Sequence, residues 1–123
     1  MRRDNKDQKW LDLKEAVHKR DRECRLAKKL SARDYLLLQK KAGRLMEAYD
    51  CAHVFGAGAF PHMIYEKKNV VLLNRFSHRL LDDYKHPVLG TPLTKEEHTA
   101  WWVKIIGKVR YAELERMSRN GNH

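Results

Sequence analysis

The chain has 123 residues, with 26 Lys and Arg against 16 Asp and Glu, a formal net charge of +10 and a pI near 9.8. That length fits one domain with a core of its own. The charge favours an anionic partner, of which nucleic acid is the commonest, although a basic run is also what a solvated helix face looks like. No apolar run approaches the roughly 20 residues needed to span a bilayer, and two cysteines are too few for a disulfide framework. The N-terminus MRRDNKDQKW has no apolar segment of the kind a secretory leader needs. The expectation is a soluble, intracellular protein without a membrane partner.

Residues 1–9 are charged and aperiodic and read as a basic disordered arm. From Trp10 the apolar spacing is helical, with Trp10, Leu13, Val17 and Cys24 near one face. Ser31, followed by Asp34, predicts an N-cap and a second helix to about Ala48, with Tyr35, Leu38, Ala42, Leu45 and Met46 as its buried stripe. Gly43 inside it costs about 1 kcal/mol relative to Ala and marks a kink or a close backbone contact.

Cys51–Phe55 predicts a short strand. Gly56, Gly58 and Pro61 demand a loop. Asn69–Leu73 predicts a second strand, and from Asn74 the period becomes helical through Phe76, Leu80, Leu81 and Tyr84. His86–Pro92 is a loop. Thr94 and Glu97 form a capping box that opens a helix at Lys95, which Gly107 ends. A last helix carries Val109, Tyr111, Leu114 and Met117, and residues 119–123 read as a disordered tail. The expected fold is α+β and mostly helical. One domain, 10–118, holds a strand–loop–strand–helix unit flanked by N- and C-terminal helices.

That central unit carries the chemistry. Fifteen residues separate His53 from Asn69 and eight separate Asn69 from His78, with Asp82 one helical turn further on. His78 and Asp82 share a helix face, an imidazole–carboxylate half-shell suited to a divalent metal. If the hairpin folds back on the helix, His53 and His78 face one cleft. His18, His86, His98 and His123 lack such a setting. Trp101 and Trp102 could stack bases, but adjacent helical residues do not share a face, so at least one is expected in the core.

The order His53, Asn69, His78 resembles the HNH endonucleases, whose shared unit is the ββα-metal fold, and the spacing is close to that of the colicin-type nucleases. Trp10, Val17, Arg20, Asp21 and Cys24 are similar to the W…V..RD..C lead-in common in that family. The Trp101-Trp102 helix and the Tyr111/Leu114 segment look like the tail of small phage-encoded members, so the likeness covers most of residues 10–115. It implies a metal-dependent DNA endonuclease or nickase acting in the cytoplasm, that of the host if phage-encoded.

In that resemblance His53 is the general base, Asn69 positions the loop and the base, and His78 and Asp82 hold Mg²⁺, Mn²⁺, Ni²⁺ or Zn²⁺. Arg75, Arg79, Lys67 and Lys68 are placed to contact phosphates or simply to be solvated. The chain departs from the family in two ways. Ala52 stands where an acid or His precedes the base. Asp50, on the same side of the strand, is the substitute ligand or else has a capping role; His62 is the next candidate. The positions of two Cys-x-x-Cys pairs, which hold a structural zinc in many members, correspond to Cys24/Ala27 and Asn74/Ser77, so no structural zinc is expected. The alternative to the enzyme is a catalytically weak DNA-binding protein on the same scaffold. A third reading is an adaptor of the phage packaging or replication machinery, its basic helices facing protein.

Overall fold

The structure is a computed structural model, and it describes residues 5–120. The fold is α+β and mostly helical. Among the described residues, five α-helices surround one two-stranded sheet: α1 (Asn5–Asp21), α2 (Ala32–Ala42), β1 (Tyr49–His53), β2 (Val70–Asn74), α3 (Arg75–Asp82), α4 (Lys95–Ile106) and α5 (Lys108–Arg119). The strands run antiparallel, from Tyr49 opposite Asn74 to His53 opposite Val70.

Every residue of β2 is buried. The run Val70–Leu73 is apolar without alternation because both faces of the sheet are covered. Val70 and Leu72 pack on Leu13 and Val17 of α1, with Trp10 and Cys51 beside them. Val71 and Leu73 pack with Ala52 on Leu81 of α3 and on Trp102 and Ile105 of α4. A third cluster joins Leu38 and Ala42 of α2 to Val88 and Phe76. Burying each of the Val, Leu and Ile side chains in these clusters contributes about 1.5–3 kcal/mol.

The free edge of β2 is closed by the chain that follows α1. Asp21 accepts a hydrogen bond from the Leu72 amide at 3.0 Å, and the Arg25 amide donates to the Leu72 carbonyl at 2.9 Å. Arg20 and Arg110 both donate to the Val70 carbonyl. The outer edge of β1 has no strand partner among the described residues.

Local signals set most helix ends. Ser31 caps α2 by accepting from the Asp34 amide, and Thr94 with Glu97 forms the expected capping box of α4. Gly107, at φ +93°, separates α4 from α5.

α1 begins at Asn5, so residues 5–9 are helical and no disordered arm covers them. Gln8 bonds Asp12 one turn on, and an acid, Asp7, sits in the first turn, where the helix dipole favours it. Residues 1–4 and 121–123 lie outside the described residues, and Arg119 of the expected tail is the last residue of α5. α1 also stops at Asp21, well before Cys24. Arg22 has a left-handed backbone (φ +65°), and the bond from Leu72 to Asp21 turns the chain onto the sheet edge. α2 ends at Gly43 (φ +54°) and continues as a 3-10 turn to Glu47, so Gly43 is a terminator and no kink. Of its expected stripe, Leu38 and Ala42 are buried, Leu45 and Met46 are half-buried and Tyr35 is exposed. β1 starts two residues earlier than expected and β2 one residue later.

Candidate functional site

The loop between the strands is folded around Asn69, which is fully buried. Its amide Nδ2 donates to the carbonyls of Phe55 (3.0 Å) and Met63 (3.2 Å), and its Oδ1 accepts from the Phe55 amide at 2.8 Å. One side chain therefore satisfies three backbone groups on both limbs of the loop. Met63 is buried beneath it, and Phe55 packs on Phe60 and on Tyr111 of α5. Next to Met63, the Ile64 carbonyl lies 3.0 Å from Nε2 of His53. A carbonyl can only accept, so Nε2 carries the proton and Nδ1 is the basic nitrogen. The ring stacks on Trp10 of α1, with centroids 5.3 Å apart and planes 16° apart.

Three more of the expected residues meet across β1 and α3. Asn74 caps α3 by accepting from the Ser77 amide, which sets the helix so that His78 faces β1. His78 Nδ1 lies 3.0 Å from Asp50 Oδ2, and its Nε2 lies 3.3 Å from Asp82 Oδ2. The other oxygen of Asp50 accepts from Arg75 Nε at 3.1 Å. The His78 and Asp50 side chains are each 22% exposed and that of Asp82 is 61% exposed, so the row Asp50–His78–Asp82 opens outward at Asp82.

The two carboxylates flank opposite nitrogens of one ring. Asp50 and Asp82 therefore cannot both join His78 in a single metal shell, and among the described residues no three His, Cys, Asp or Glu side chains form a metal-holding group. The arrangement instead places Asp50 as the group that fixes His78, accepting from Nδ1–H. Nε2 and Asp82 are left as two protein donors, to which water or phosphate would add. Burial raises the Asp50 carboxyl's pKa, but hydrogen bonds from His78 and Arg75, with their charges, outweigh it and hold the group below its ordinary 3.8. A carboxylate with a depressed folded pKa stabilises above its unfolded value, and that stabilisation is lost as pH falls through the folded one. Asp50→Asn is thus expected to destabilise the protein at neutral pH, and the deficit should shrink as pH drops below 3.8. Urea unfolding of both proteins across pH 2.5–7 checks this; a deficit independent of pH refutes it.

His53 and His78 do not share a cleft. Strand alternation puts Asp50 and Ala52 on the α3 face and Cys51 and His53 on the α1 face. His62, the alternative ligand, is turned away, its Nε2 3.2 Å from the Met117 carbonyl of α5. Of the expected phosphate contacts, Lys68 pairs with Glu113 at 2.7 Å and Arg75 with Asp50, whereas Lys67 and Arg79 are exposed and have no carboxylate partner among the described residues. Trp102 is buried at 3% exposure, and half-buried Trp101 has the Lys104 ammonium over its ring and His86 at its edge.

Cys24, Asn74 and Ser77 do converge. Asn74 Nδ2 donates to Cys24 Sγ at 3.3 Å and to Ser77 Oγ at 3.1 Å, while Ser77 Oγ donates to the Pro87 carbonyl at 2.8 Å. Ala27 packs in the same cluster as Cys24. A hydrogen-bonded knot thus ties the segment after α1 to the start of α3. Both cysteines are free thiols. A cleft of about 400 Å³ bounded by Cys24, Tyr35, Met46 and Tyr49 lies beside α2 and contains none of the candidate residues.

Sequence reasoning missed the roles of Trp10 as the partner of His53 and of Arg20 as an anchor of β2. Only the lead-in spacing hinted at either. No helix among the described residues is long and apolar enough to cross a membrane. Comparison with family models, curated proteins and solved structures gives no match.

Proposed function

We propose that the chain is a metal-dependent phosphodiesterase of the ββα-metal class. More particularly, we read it as an HNH-type DNA endonuclease or nickase of the small, phage-encoded kind. The observation that carries this reading is the path from Asn69 through Met63 to the Ile64 carbonyl and His53. A buried asparagine that pins a loop, and through the loop a histidine, is what a positioned general base requires. The row Asp50–His78–Asp82 supports it with a metal-binding edge whose imidazole is already oriented. The knot of Cys24, Asn74 and Ser77 supports it too, because the four positions that would correspond to the zinc-holding pairs of many HNH nucleases come together in this chain.

In this mechanism His53 Nδ1 takes a proton from the attacking water. The metal, when bound by His78 and Asp82, supplies charge stabilisation at the phosphate and leaving oxygen. Because the two histidines lie on opposite faces of the hairpin, this reading requires the scissile phosphodiester to sit at the outer edge of β1. Arg79 and Lys67, exposed and without a carboxylate partner among the described residues, are available as phosphate contacts.

One observation favours the catalytically weak DNA binder instead: His78 is occupied on both nitrogens by carboxylates, and Arg75 engages Asp50. Metal titration by calorimetry beside plasmid nicking separates the two. The enzyme is expected to bind at least one of Mg²⁺, Mn²⁺, Ni²⁺ and Zn²⁺ and to convert supercoiled DNA to open circles with that ion. A silent titration with retained, salt-sensitive DNA binding would establish the binder.

A further inference from the structure

Tyr84 follows Asp82 by two residues, just past the end of α3, and is 47% exposed. Its amide donates to the Leu81 carbonyl at 3.0 Å, the Lys85 amide donates to Leu80 at 2.8 Å, and its φ is +57°. This is the left-handed position after a helix, where glycine or asparagine sits without strain. A tyrosine held there points to a use for its ring. The inner face of that ring lies on His98 of α4, with centroids 3.8 Å apart and planes 15° apart.

His98 is itself fixed, its Nε2 2.8 Å from the Leu81 carbonyl. Burial lowers its pKa, against the raising effects of that carbonyl and of Asp82, which favours a neutral backing ring. Two stacked rings are therefore anchored to the body of the protein with one aromatic face turned outward. Exposed Arg79 precedes this platform and exposed Lys85 follows it. Neither tryptophan of α4 offers a comparable face.

We propose that the outer face of Tyr84 stacks an unpaired nucleobase beside the Asp82 end of the metal-binding row, so that the preferred substrate is single-stranded or locally unpaired DNA. Within a continuous duplex the base faces are already stacked on one another and only their edges are accessible, so an aromatic face selects bases that are out of the stack. That the DNA is a substrate rests on the nuclease reading; the stacking itself needs no cleavage.

The test uses the full chain in EDTA, where no metal-dependent cutting occurs. Fluorescence anisotropy compares a single-stranded oligonucleotide with its duplex, and a central 2-aminopurine reports stacking by quenching. Wild type is expected to prefer the single strand and to quench the probe, and Tyr84→Phe should keep both properties. Tyr84→Asn, which suits the left-handed backbone, should lose quenching and about tenfold in single-strand affinity while its duplex affinity holds. Unchanged quenching in Tyr84→Asn, or an equal loss for single strand and duplex, would overturn the proposal, the latter by showing that the ring only supports the fold. Quenching that depends on Tyr84 in a protein that cuts nothing with any of the four metals would support the stacking site while removing the nuclease reading.

Discussion

Replacing His53 or His78 with alanine is expected to lower plasmid nicking by about 10²–10⁴-fold, or roughly 3–5 kcal/mol of transition-state stabilisation. The two losses should differ in kind. His53 is held by a backbone carbonyl and by Trp10, on the face of the hairpin away from Asp50 and His78. His53→Ala should therefore leave metal affinity near the wild-type value and lower the maximal rate. His78 presents Nε2 beside Asp82, so His78→Ala should weaken metal binding and shift the metal dependence of cutting to higher concentration. Neither residue is in the core clusters, and both variants should fold, as circular dichroism will show. If both fold and cut as wild type does, the site lies elsewhere in the chain.

Asn69→Ala should have the largest effect on stability of any polar substitution in the loop. Its side chain makes three hydrogen bonds to backbone groups of Phe55 and Met63, with no exposure to solvent. Removing it leaves those groups short of partners in the interior, at about 1 kcal/mol each. A loss of about 2–4 kcal/mol, or on the order of 10 °C in Tm, is expected by thermal denaturation. Asn69→Asp keeps the shape and the acceptor but removes the donor to two carbonyls, and should be no milder. Both variants should also lose nicking beyond what their folded fraction accounts for, because the Ile64 carbonyl that orients His53 belongs to the same loop. An Asn69→Ala protein as stable as wild type would mean that the loop does not depend on this side chain.

What was legible in the sequence was mostly local. Ser31, Thr94 with Glu97 and Gly107 each signal a helix end through a contact within four residues, and each acts as the spacing predicts. The strand–loop–strand–helix order was legible because Gly56, Gly58 and Pro61 exclude a helix, Asn69–Leu73 is β-rich, and the period turns helical from Asn74. What escaped depends on distant partners. α1 stops at Asp21 because that carboxylate finds Leu72, 51 residues away in sequence. Tyr84 continues the apolar period of α3 in the sequence, yet its backbone turns left-handed and its ring lies on His98.

The candidate site was legible in part. Strand alternation places Asp50 on the side of Ala52, and register then brings it to His78 and Arg75. The same alternation puts His53 on the other side, which the picture of a single shared cleft did not take into account.

The Val70 carbonyl, which takes guanidinium donors from both α1 and α5, bears on how portable the hairpin and its helix are. The first and last helices meet on one backbone atom of β2, and the Arg110 side chain also reaches the Lys68 carbonyl at the end of the loop. The ββα segment therefore has no natural seam at either end. Excised between residues 49 and 82, it would lose the cover over Val70 and Leu72 and the anchors of its own loop. The geometry of the hairpin and its helix belongs to the whole domain, and grafting the segment elsewhere means carrying both terminal helices along.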